Sequence, residues 1–313
     1  MKVDYKGENY KLPDFLVVGG AKCGTTSLFY YLEQHPEIFA PSEKEPHFFS
    51  FVNNPPDFTS PADLRTISDL SDYSKMFDES NDNQLICEAS TSYLYDYKNT
   101  IENIKKIYGE EASKEVKIII LLRNPIDRAW SQFWQFKKFN HEPLEFGQTI
   151  PSDVVEKRLN DGWNYYYDYL GFGRYYEQVK AYMEHFNDVK VFFQETFLED
   201  SQNVLDQTVE FLGIDANSQI ETDRKFNPSG KTKNNVIGII WKLKTQTNLL
   251  NFLKQFFPLK IRKKIIYFFM DKALEKQQMK RADKAKLVLE FEEDNRKLYN
   301  LLKAEEIKTW SDV

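Results

Sequence analysis

The chain has 313 residues, 41% of them hydrophobic and 29% charged, and this composition excludes a disordered tail or a fibrous repeat. Its net charge of −6 argues against recruitment of nucleic acid by overall charge, so any anion site must be local. The two cysteines, Cys23 and Cys87, lack the spacings of a disulfide framework or a metal site, and we predict no metal requirement.

The N-terminal residues 1–14 are polar and charged where a secretory signal needs an apolar run. No apolar run approaches the ~18 residues of a membrane-spanning helix. We therefore expect a cytoplasmic protein that can still associate with a membrane surface.

Short β-rich runs alternate with amphipathic helical patterns along most of the chain. The predicted strands are Phe15–Val18, Leu85–Cys87, Lys117–Leu122 and Val189–Phe193. This alternation predicts an α/β fold in which a central parallel sheet is flanked by helices. After about Asn235 the pattern is wholly helical and no linker intervenes. We predict a single domain over 1–313, with an α/β core at about 14–235 and a helical C-terminal extension at about 236–313.

The first predicted strand leads into a glycine-containing turn and then a helix, which is the architecture of a phosphate-binding loop of P-loop type. Gly19–Thr26 nearly fits the pattern G-x-x-x-x-G-K-[ST], but Thr25 stands where the lysine for the β- and γ-phosphates belongs. This difference disfavours a nucleoside-triphosphate kinase. Lys22 lies inside the loop instead, which suits a nucleotide whose single 5′-phosphate carries the leaving bond. Cys23 is interpreted as a small loop residue.

A second motif, Leu-Arg-Asn-Pro-Ile-Asp-Arg-Ala-Trp-Ser, follows the strand Lys117–Leu122. Pro125 and Asp127 predict a helix start, so Arg123 would lie at the carboxyl end of the strand and Ser131 on the first turns of the helix. Both could hold a second phosphate at the same sheet edge as the first loop. An arginine that only caps a loop is the structural alternative.

Together these two motifs resemble the sulfotransferases that use 3′-phosphoadenosine-5′-phosphosulfate, particularly the carbohydrate and heparan-type branch and its bacterial members. The resemblance implies that the 3′-phosphate is held by Arg123 and Ser131, with Arg128 as a helper. It implies that the first loop and helical turn hold the 5′-phosphosulfate through Lys22, Cys23, Gly24, Thr25, Thr26 and Ser27. The donor product would be adenosine 3′,5′-bisphosphate.

The segment Lys44–Phe49, with the sequence KEPHFF, looks like the part of these enzymes that supplies the catalytic carboxylate. The resemblance makes Glu45 the general base, with Lys44 beside it in the acceptor cleft. His47 is a rival base because its unperturbed pKa of ~6.5 suits neutral pH, and on an extended segment its side chain would point the same way as that of Glu45. Glu88 is a third carboxylate, assigned to acceptor binding or orientation. Lys22 would stabilise the charge that develops on the bridging oxygen.

Other parts of the chain match the family more loosely. Residues 226–233 resemble the late loop that closes over the nucleotide, which assigns contacts to Lys231 and Lys233. The segment 290–302 followed by Trp310 is similar to bacterial members. Heparan-type enzymes often carry a lysine where this chain has Ala89, which argues against a heparan-like acceptor.

The aromatic run 163–169 could stack sugar rings, through Trp163 and Tyr166, or could pack within its own loop. Residues 251–286 hold eleven basic and three acidic side chains. They predict either a contact with an anionic glycan or lipid headgroups, or solvated helix faces.

The sequence thus predicts sulfuryl transfer to a hydroxyl or amine, by in-line displacement, on a saccharide or a lipid-linked saccharide. A small-molecule or polyketide-type hydroxyl is the nearest alternative. A P-loop kinase and a non-catalytic nucleotide-binding protein are the alternatives of another class.

Overall fold

A computed structural model describes residues 1–215, 220–222, 231–232, 274–275 and 278–311. Its strands are β1 (Lys2–Tyr5), β2 (Glu8–Lys11), β3 (Phe15–Gly19), β4 (Ile38–Phe39), β5 (Leu85–Ala89), β6 (Lys117–Leu122), β7 (Val189–Phe193), β8 (Lys231–Thr232) and β9 (Leu274–Glu275). Its helices are α1 (Thr25–Leu32), α2 (Leu70–Lys75), α3 (Ser92–Tyr95), α4 (Tyr97–Tyr108), α5 (Pro125–Lys138), α6 (Phe146–Thr149), α7 (Ser152–Asn160), α8 (Tyr175–His185), α9 (Gln194–Glu199), α10 (Ser201–Leu212) and α11 (Arg281–Leu302). Short 3-10 helices occur at Phe48–Ser50, Ala112–Glu115, Tyr165–Tyr167, Gly171–Gly173 and Glu305–Ser311.

Five strands form one parallel sheet in the order β4-β5-β3-β6-β7. All five residues of β3 are buried, as are the last five of β6, because helices cover both faces of a parallel sheet. The predicted parallel sheet flanked by helices is therefore confirmed, and the bounds of β6 and β7 are as predicted.

Alternate residues of the central strands pack on opposite faces of the sheet, as the two-residue period of a strand requires. On one face Leu16 and Ile118 pack with residues of α4, α8 and α11. On the other face Val17 and Ile119 pack with residues of α1 and α10. The sheet is thus a rigid layer from which the loops at its edges extend.

Several short elements were not predicted. β1 and β2 form an antiparallel hairpin, and β8 pairs antiparallel with β9. Strands this short leave no periodic signal in a sequence. α11 contains the predicted helical segment 290–302, whereas residues 236–273, with most of the basic segment 251–286, lie outside the described residues. No helix in the described ranges is long and apolar enough to cross a membrane.

The C-terminal turn Glu305–Ser311 packs against α8 and the end of β7. The Trp310 ring is buried and contacts Tyr175 and Phe193, with ring centroids 5.9 and 5.8 Å apart. The Trp310 carbonyl accepts a hydrogen bond from the Asn124 side chain at 3.4 Å. This turn therefore supports the loop that follows β6.

The loops after β3, β5, β6 and β7 all leave the sheet at its carboxyl edge, because these strands are parallel. Ligands of open α/β sheets bind at this edge. Most of the residues that the sequence singled out follow one of these four strands.

Candidate active site

The loop after β3 turns at Gly24 into α1. Gly24 has φ 99°, a left-handed conformation that favours glycine, and it stands at the N-cap of α1. The first turn of α1 holds no acidic side chain; Thr25 is buried and Thr26 and Ser27 are half-buried. The first amides of a helix have no intrahelical acceptor, so this helix start offers N–H donors and a positive dipole end to an anion.

Lys22 forms hydrogen bonds with side chains from three other parts of the fold. Its Nζ donates to Oε1 of Gln135 on α5. Its carbonyl accepts from Arg123 Nη1 at 3.2 Å and from Gln194 Nε2 at 3.3 Å. Side chains that follow β6 and β7 therefore fix the loop that follows β3, and Lys22 itself is held at φ 68°.

The Lys22 ammonium lies in a positive field. Burial lowers its pKa to about 8, assisted by the charges of Lys138 and Arg123, while the Glu45 carboxylate acts in the opposite direction. A bound anion would stabilise the charged form of Lys22 in this field.

The second motif lies as predicted at the end of β6. Arg123 is half-buried two residues before α5, and the Asn124 side chain caps this helix by accepting from the Ile126 amide at 3.0 Å. Ser131 is buried in the second turn of α5. The predicted helix start at Pro125 is confirmed.

Arg128 is fully buried behind the site. Its guanidinium donates to the Tyr169 carbonyl and lies 5.6 Å from the centroid of the Phe172 ring. Its Nε and Nη1 have no hydrogen-bond partner in the described part of the chain. Burial lowers the pKa of this group. Among the described residues, the geometry gives Arg128 a contact with the segment 169–172.

Cys23 points into the core. Its Sγ lies 3.6 Å from the Ala21 carbonyl and 3.8 Å from the Tyr175 hydroxyl, and its amide donates to the Gly20 carbonyl at 3.1 Å. Burial raises the pKa of this thiol to about 11. The thiol is therefore protonated at neutral pH, in keeping with its interpretation as a small loop residue.

The segment that carries Glu45 and His47 is bent rather than extended, so the expectation of an extended segment is wrong. Glu45 has φ 63° and His47 has φ 55°. The Glu45 amide donates to the Ala89 carbonyl at 3.1 Å, which draws the segment against the end of β5. The two side chains nevertheless face each other, with Glu45 Oε2 and His47 Nε2 separated by 3.9 Å.

Charge separates the roles that Glu45 and His47 can play. Burial acts to raise the pKa of Glu45, but the Lys44 ammonium, 2.5 Å from Oε1, and the Lys22 charge act against it, and that pKa is lowered. Burial lowers the pKa of His47 to about 4. At neutral pH Glu45 is a carboxylate and His47 is a neutral ring whose Nδ1 lies 2.8 Å from Ser92 Oγ.

Glu88 is fully buried and accepts three hydrogen bonds. Tyr93 and Tyr73 donate to Oε2 at 2.6 and 3.1 Å, and Ser90 donates to Oε1 at 2.7 Å. Ser90 Oγ in turn accepts from the His47 amide at 3.0 Å. Burial raises the pKa of Glu88 to about 7. This geometry favours the orienting role over contact with an acceptor.

Of the two aromatic residues assigned to the acceptor, only Tyr166 meets the site. Its ring lies edge-on to His47 at 6.1 Å. Trp163 packs on Tyr167 at 4.6 Å and on the Arg158 guanidinium at 4.7 Å. Arg158 also forms a buried two-point ion pair with Glu142, at 2.7 and 2.9 Å. The Trp163 side of the aromatic run is therefore packed within its own loop.

The predicted late-loop lysines are only partly described. Lys231 begins β8 and pairs with Glu275 of β9, whereas Lys233 lies outside the described residues. In those ranges no group of three or more His, Cys, Asp or Glu side chains could hold a metal ion.

Four residues of this site were not predicted. Gln135 and Lys138 follow Ser131 by four and seven positions on α5, so helical spacing could have placed them on its face. Gln194 and Glu195 follow β7, and Glu195 accepts from the Asn124 amide at 2.9 Å. Only the position of β7 in the sheet brings them to the site, and a single sequence does not reveal strand order.

A family model described as the sulfotransferase domain matches residues 12–248. This structure is similar to the crystal structure of a sulfotransferase from Alicyclobacillus acidocaldarius, with a TM-score of 0.72 and 28% sequence identity. The match covers 96% of this chain and 99% of that chain.

Curated relatives match over shorter spans. Membrane-associated sulfotransferase kil1 of Dictyostelium discoideum is 31% identical over 46% of this chain and 28% of its own length. Heparan sulfate glucosamine 3-O-sulfotransferase 3B1 of Homo sapiens is 25% identical over 69% of this chain and 49% of its own length. The chain thus spans about half or less of the length of these two relatives. With the family model matched over most of its length and the loops of its parallel sheet converging as described, this chain belongs to the sulfotransferase domain family.

Proposed function

We propose that the protein transfers the sulfuryl group of 3′-phosphoadenosine-5′-phosphosulfate to a hydroxyl or amine of a saccharide acceptor. One observation carries this proposal: Lys22 and Glu45, from different loops, are close enough for the Glu45 charge to raise the pKa of Lys22. A cation for the leaving group and a carboxylate for the acceptor proton are the two groups that this reaction needs.

The donor fits the sheet edge by its charge. The start of α1 offers amide donors to the 5′-phosphosulfate, and Lys22 adds a cation whose depressed pKa an anion would restore. Arg123 and Ser131 would hold the 3′-phosphate, at the strand end and helix start where the second motif lies. We assign the remaining nucleotide contacts to Lys231 and Lys233 of the late loop.

Glu45 and Lys22 supply the proton acceptor and the cation for the transfer step. The acceptor oxygen attacks sulfur in line, and the bond from sulfur to the bridging oxygen breaks. The acceptor proton passes to Glu45, which is ionised at neutral pH, and Lys22 stabilises the charge on the departing oxygen. A general base of this kind contributes ~10²–10⁴-fold. His47 is the weaker candidate, because its side chain is 2% exposed against 36% for Glu45, so an acceptor reaches the carboxylate rather than the ring.

The saccharide acceptor is inferred from the name of a relative, which specifies heparan sulfate glucosamine, and from the position of the Tyr166 ring beside His47. We further propose a single domain with its helical extension at about 236–313. The basic segment 251–286 would contact an anionic glycan or a membrane surface from the cytoplasm, and one relative is named as membrane-associated.

Donor binding is tested by calorimetry with adenosine 3′,5′-bisphosphate, AMP, ADP and ATP in the absence of magnesium. We expect the bisphosphate to bind best and Arg123→Ala to abolish that preference. The matched control is Arg174→Ala, which removes an exposed arginine paired with Glu290 at 3.3 Å. Preference for ATP, or binding of none of them, would favour the kinase or the non-catalytic alternative.

Transfer is tested with radiolabelled phosphosulfate and a panel of acceptors: p-nitrophenyl glycosides, an unsulfated glucosamine-containing oligosaccharide, and 4-nitrophenol as the small-molecule alternative. Glu45→Gln should lower kcat by at least about a hundredfold. The control is Glu43→Gln, an exposed carboxylate two residues away. Wild-type kcat in Glu45→Gln, with loss in His47→Ala, would transfer the role of base to His47.

A further inference from the structure

The peptide bond between Arg123 and Asn124 is held at both ends. Its carbonyl, which belongs to Arg123, accepts a hydrogen bond from the Tyr175 hydroxyl at 3.0 Å. Its amide, which belongs to Asn124, donates to Glu195 Oε1 at 2.9 Å. A peptide group is planar, so two hydrogen bonds on its opposite edges fix the direction in which the chain leaves β6. The Arg123 side chain, which would hold the 3′-phosphate, extends from this fixed plane.

Strand register explains what the Glu195 carboxylate does at this point. β6 and β7 are parallel, and their last paired residues are Leu122 and Phe193. Beyond this pair the chain of β7 turns into α9, so β7 has no further residue to accept from the Asn124 amide. The Glu195 side chain reaches back from the first turn of α9 and supplies the acceptor. It thus continues the hydrogen bonding of β6 by one residue.

The helix that carries Glu195 also packs on the first phosphate-binding loop. Gln194 Nε2 donates to the Lys22 carbonyl at 3.3 Å. A Cβ at Gly24 would lie 3.4 Å from Cδ1 of Phe197, so this buried ring covers the turn into α1. α9 therefore contacts both of the motifs that would bind the donor, and it can set the distance between them.

We propose that Glu195 is a positioning residue for donor binding, which holds the peptide after Arg123 where one nucleotide can engage both phosphate sites. The proposal deepens the function proposed above and rests on it. A bisphosphate gains affinity from its second phosphate only when both sites can be occupied at once. Adenosine 5′-monophosphate, which would engage the first loop alone, does not depend on the distance between the sites.

The charge of Glu195 and its position act in opposite directions on the affinity for the donor. A carboxylate beside the second motif repels the 3′-phosphate, so its charge alone would weaken binding. The hydrogen bond to the Asn124 amide would strengthen binding, because it keeps Arg123 in place. Variants that change only the charge or only the length of this side chain therefore separate the two effects by their sign.

The first test needs no nucleotide. Glu195→Asp keeps the charge but is one methylene shorter, whereas Glu195→Gln keeps the length and an oxygen acceptor. Hydrogen exchange of the Asn124 amide, followed by NMR of ¹⁵N-labelled protein, should be at least about tenfold faster in Glu195→Asp than in the wild type. The exchange should change less in Glu195→Gln. Exchange in Glu195→Asp at the wild-type rate would overturn the proposal, because the hydrogen bond would then not depend on the reach of the side chain.

The second test is calorimetry with adenosine 3′,5′-bisphosphate and AMP on the same two variants. The affinity for the bisphosphate should fall by about tenfold in Glu195→Asp, which is the effect of losing one charge-assisted hydrogen bond. It should be unchanged or higher in Glu195→Gln, because only the repelling charge is removed. The affinity for AMP should stay close to that of the wild type in Glu195→Asp. The matched control is Glu199→Asp, which shortens an exposed carboxylate on the same helix.

Three outcomes of the calorimetry would overturn the positioning role alone. They are wild-type affinity for the bisphosphate in Glu195→Asp, a loss in Glu195→Gln as large as that in Glu195→Asp, and an equal loss of affinity for AMP and the bisphosphate in Glu195→Asp. If the wild type itself does not prefer the bisphosphate to AMP, the proposed function fails, and the positioning role fails with it. The two failures are distinguishable, because the wild type is measured without any variant.

Discussion

Replacing Glu88 by glutamine measures what the burial of this carboxyl contributes to stability. Burial raises its pKa from 4.5 to about 7. Because each pH unit is worth 1.36 kcal/mol, folding favours the protonated over the ionised form by about 3 kcal/mol. The folded pKa lies above the unfolded one, so this stabilisation is complete below pH 4.5 and is lost as the pH rises through 7. Glutamine keeps the shape and cannot ionise.

The assay is denaturant unfolding of the wild type and Glu88→Gln between pH 4.5 and 8.5. Between these limits the free energy of unfolding of the wild type should fall by about 3 kcal/mol relative to that of the variant. Other titrating groups cancel in this difference, and Glu43→Gln serves as an exposed control. A difference between wild type and Glu88→Gln that stays constant over this range would refute the reasoning.

Three further outcomes are expected. The affinity for adenosine 3′,5′-bisphosphate, measured by calorimetry, should fall by up to about tenfold per pH unit above pH 8, because Lys22 loses its proton there. Lys22→Met should remove this pH dependence. The same pH dependence in Lys22→Met as in the wild type would contradict the role of Lys22. Gly19→Ala would place a Cβ 2.5 Å from Leu94 Cβ and should lower the free energy of unfolding by about 1–3 kcal/mol, whereas wild-type stability would show that the contact relaxes freely. Arg158→Met leaves the buried Glu142 carboxylate without its ion-pair partner and should lower the free energy of unfolding, measured with denaturant, by about 3–5 kcal/mol. The loss should be smaller when Glu142→Gln is added. If the losses of the two single variants simply add in the double variant, the pairing is contradicted.

The sheet could be predicted because each central strand is marked by its own local pattern of apolar residues. The five residues 118–122 are apolar and lie between Lys117 and Arg123. A short apolar run bounded in this way is the pattern of a buried parallel strand. The turn at Gly24 could also be predicted, because a left-handed turn into a helix favours glycine.

The bend at Glu45 and His47 could not be predicted in the same way. Neither residue favours a left-handed conformation, and the hydrogen bonds that hold the bend come from Ala89 and Ser90, more than forty positions away. The environment of Glu88 was hidden for a similar reason. Its position at a strand end indicated the cleft, whereas the Tyr73 and Tyr93 hydroxyls that satisfy it inside the core come from other elements.

The contact between Trp310 and Asn124 joins residues 186 positions apart. Asn124 caps the helix that carries half of the proposed donor site, so its position depends on a segment that the ribosome makes much later. A nascent chain that has not yet exposed residues 305–311 leaves Phe193 and Tyr175 uncovered and the loop after β6 without its support. Competence to bind the donor would therefore arise at a late stage of synthesis.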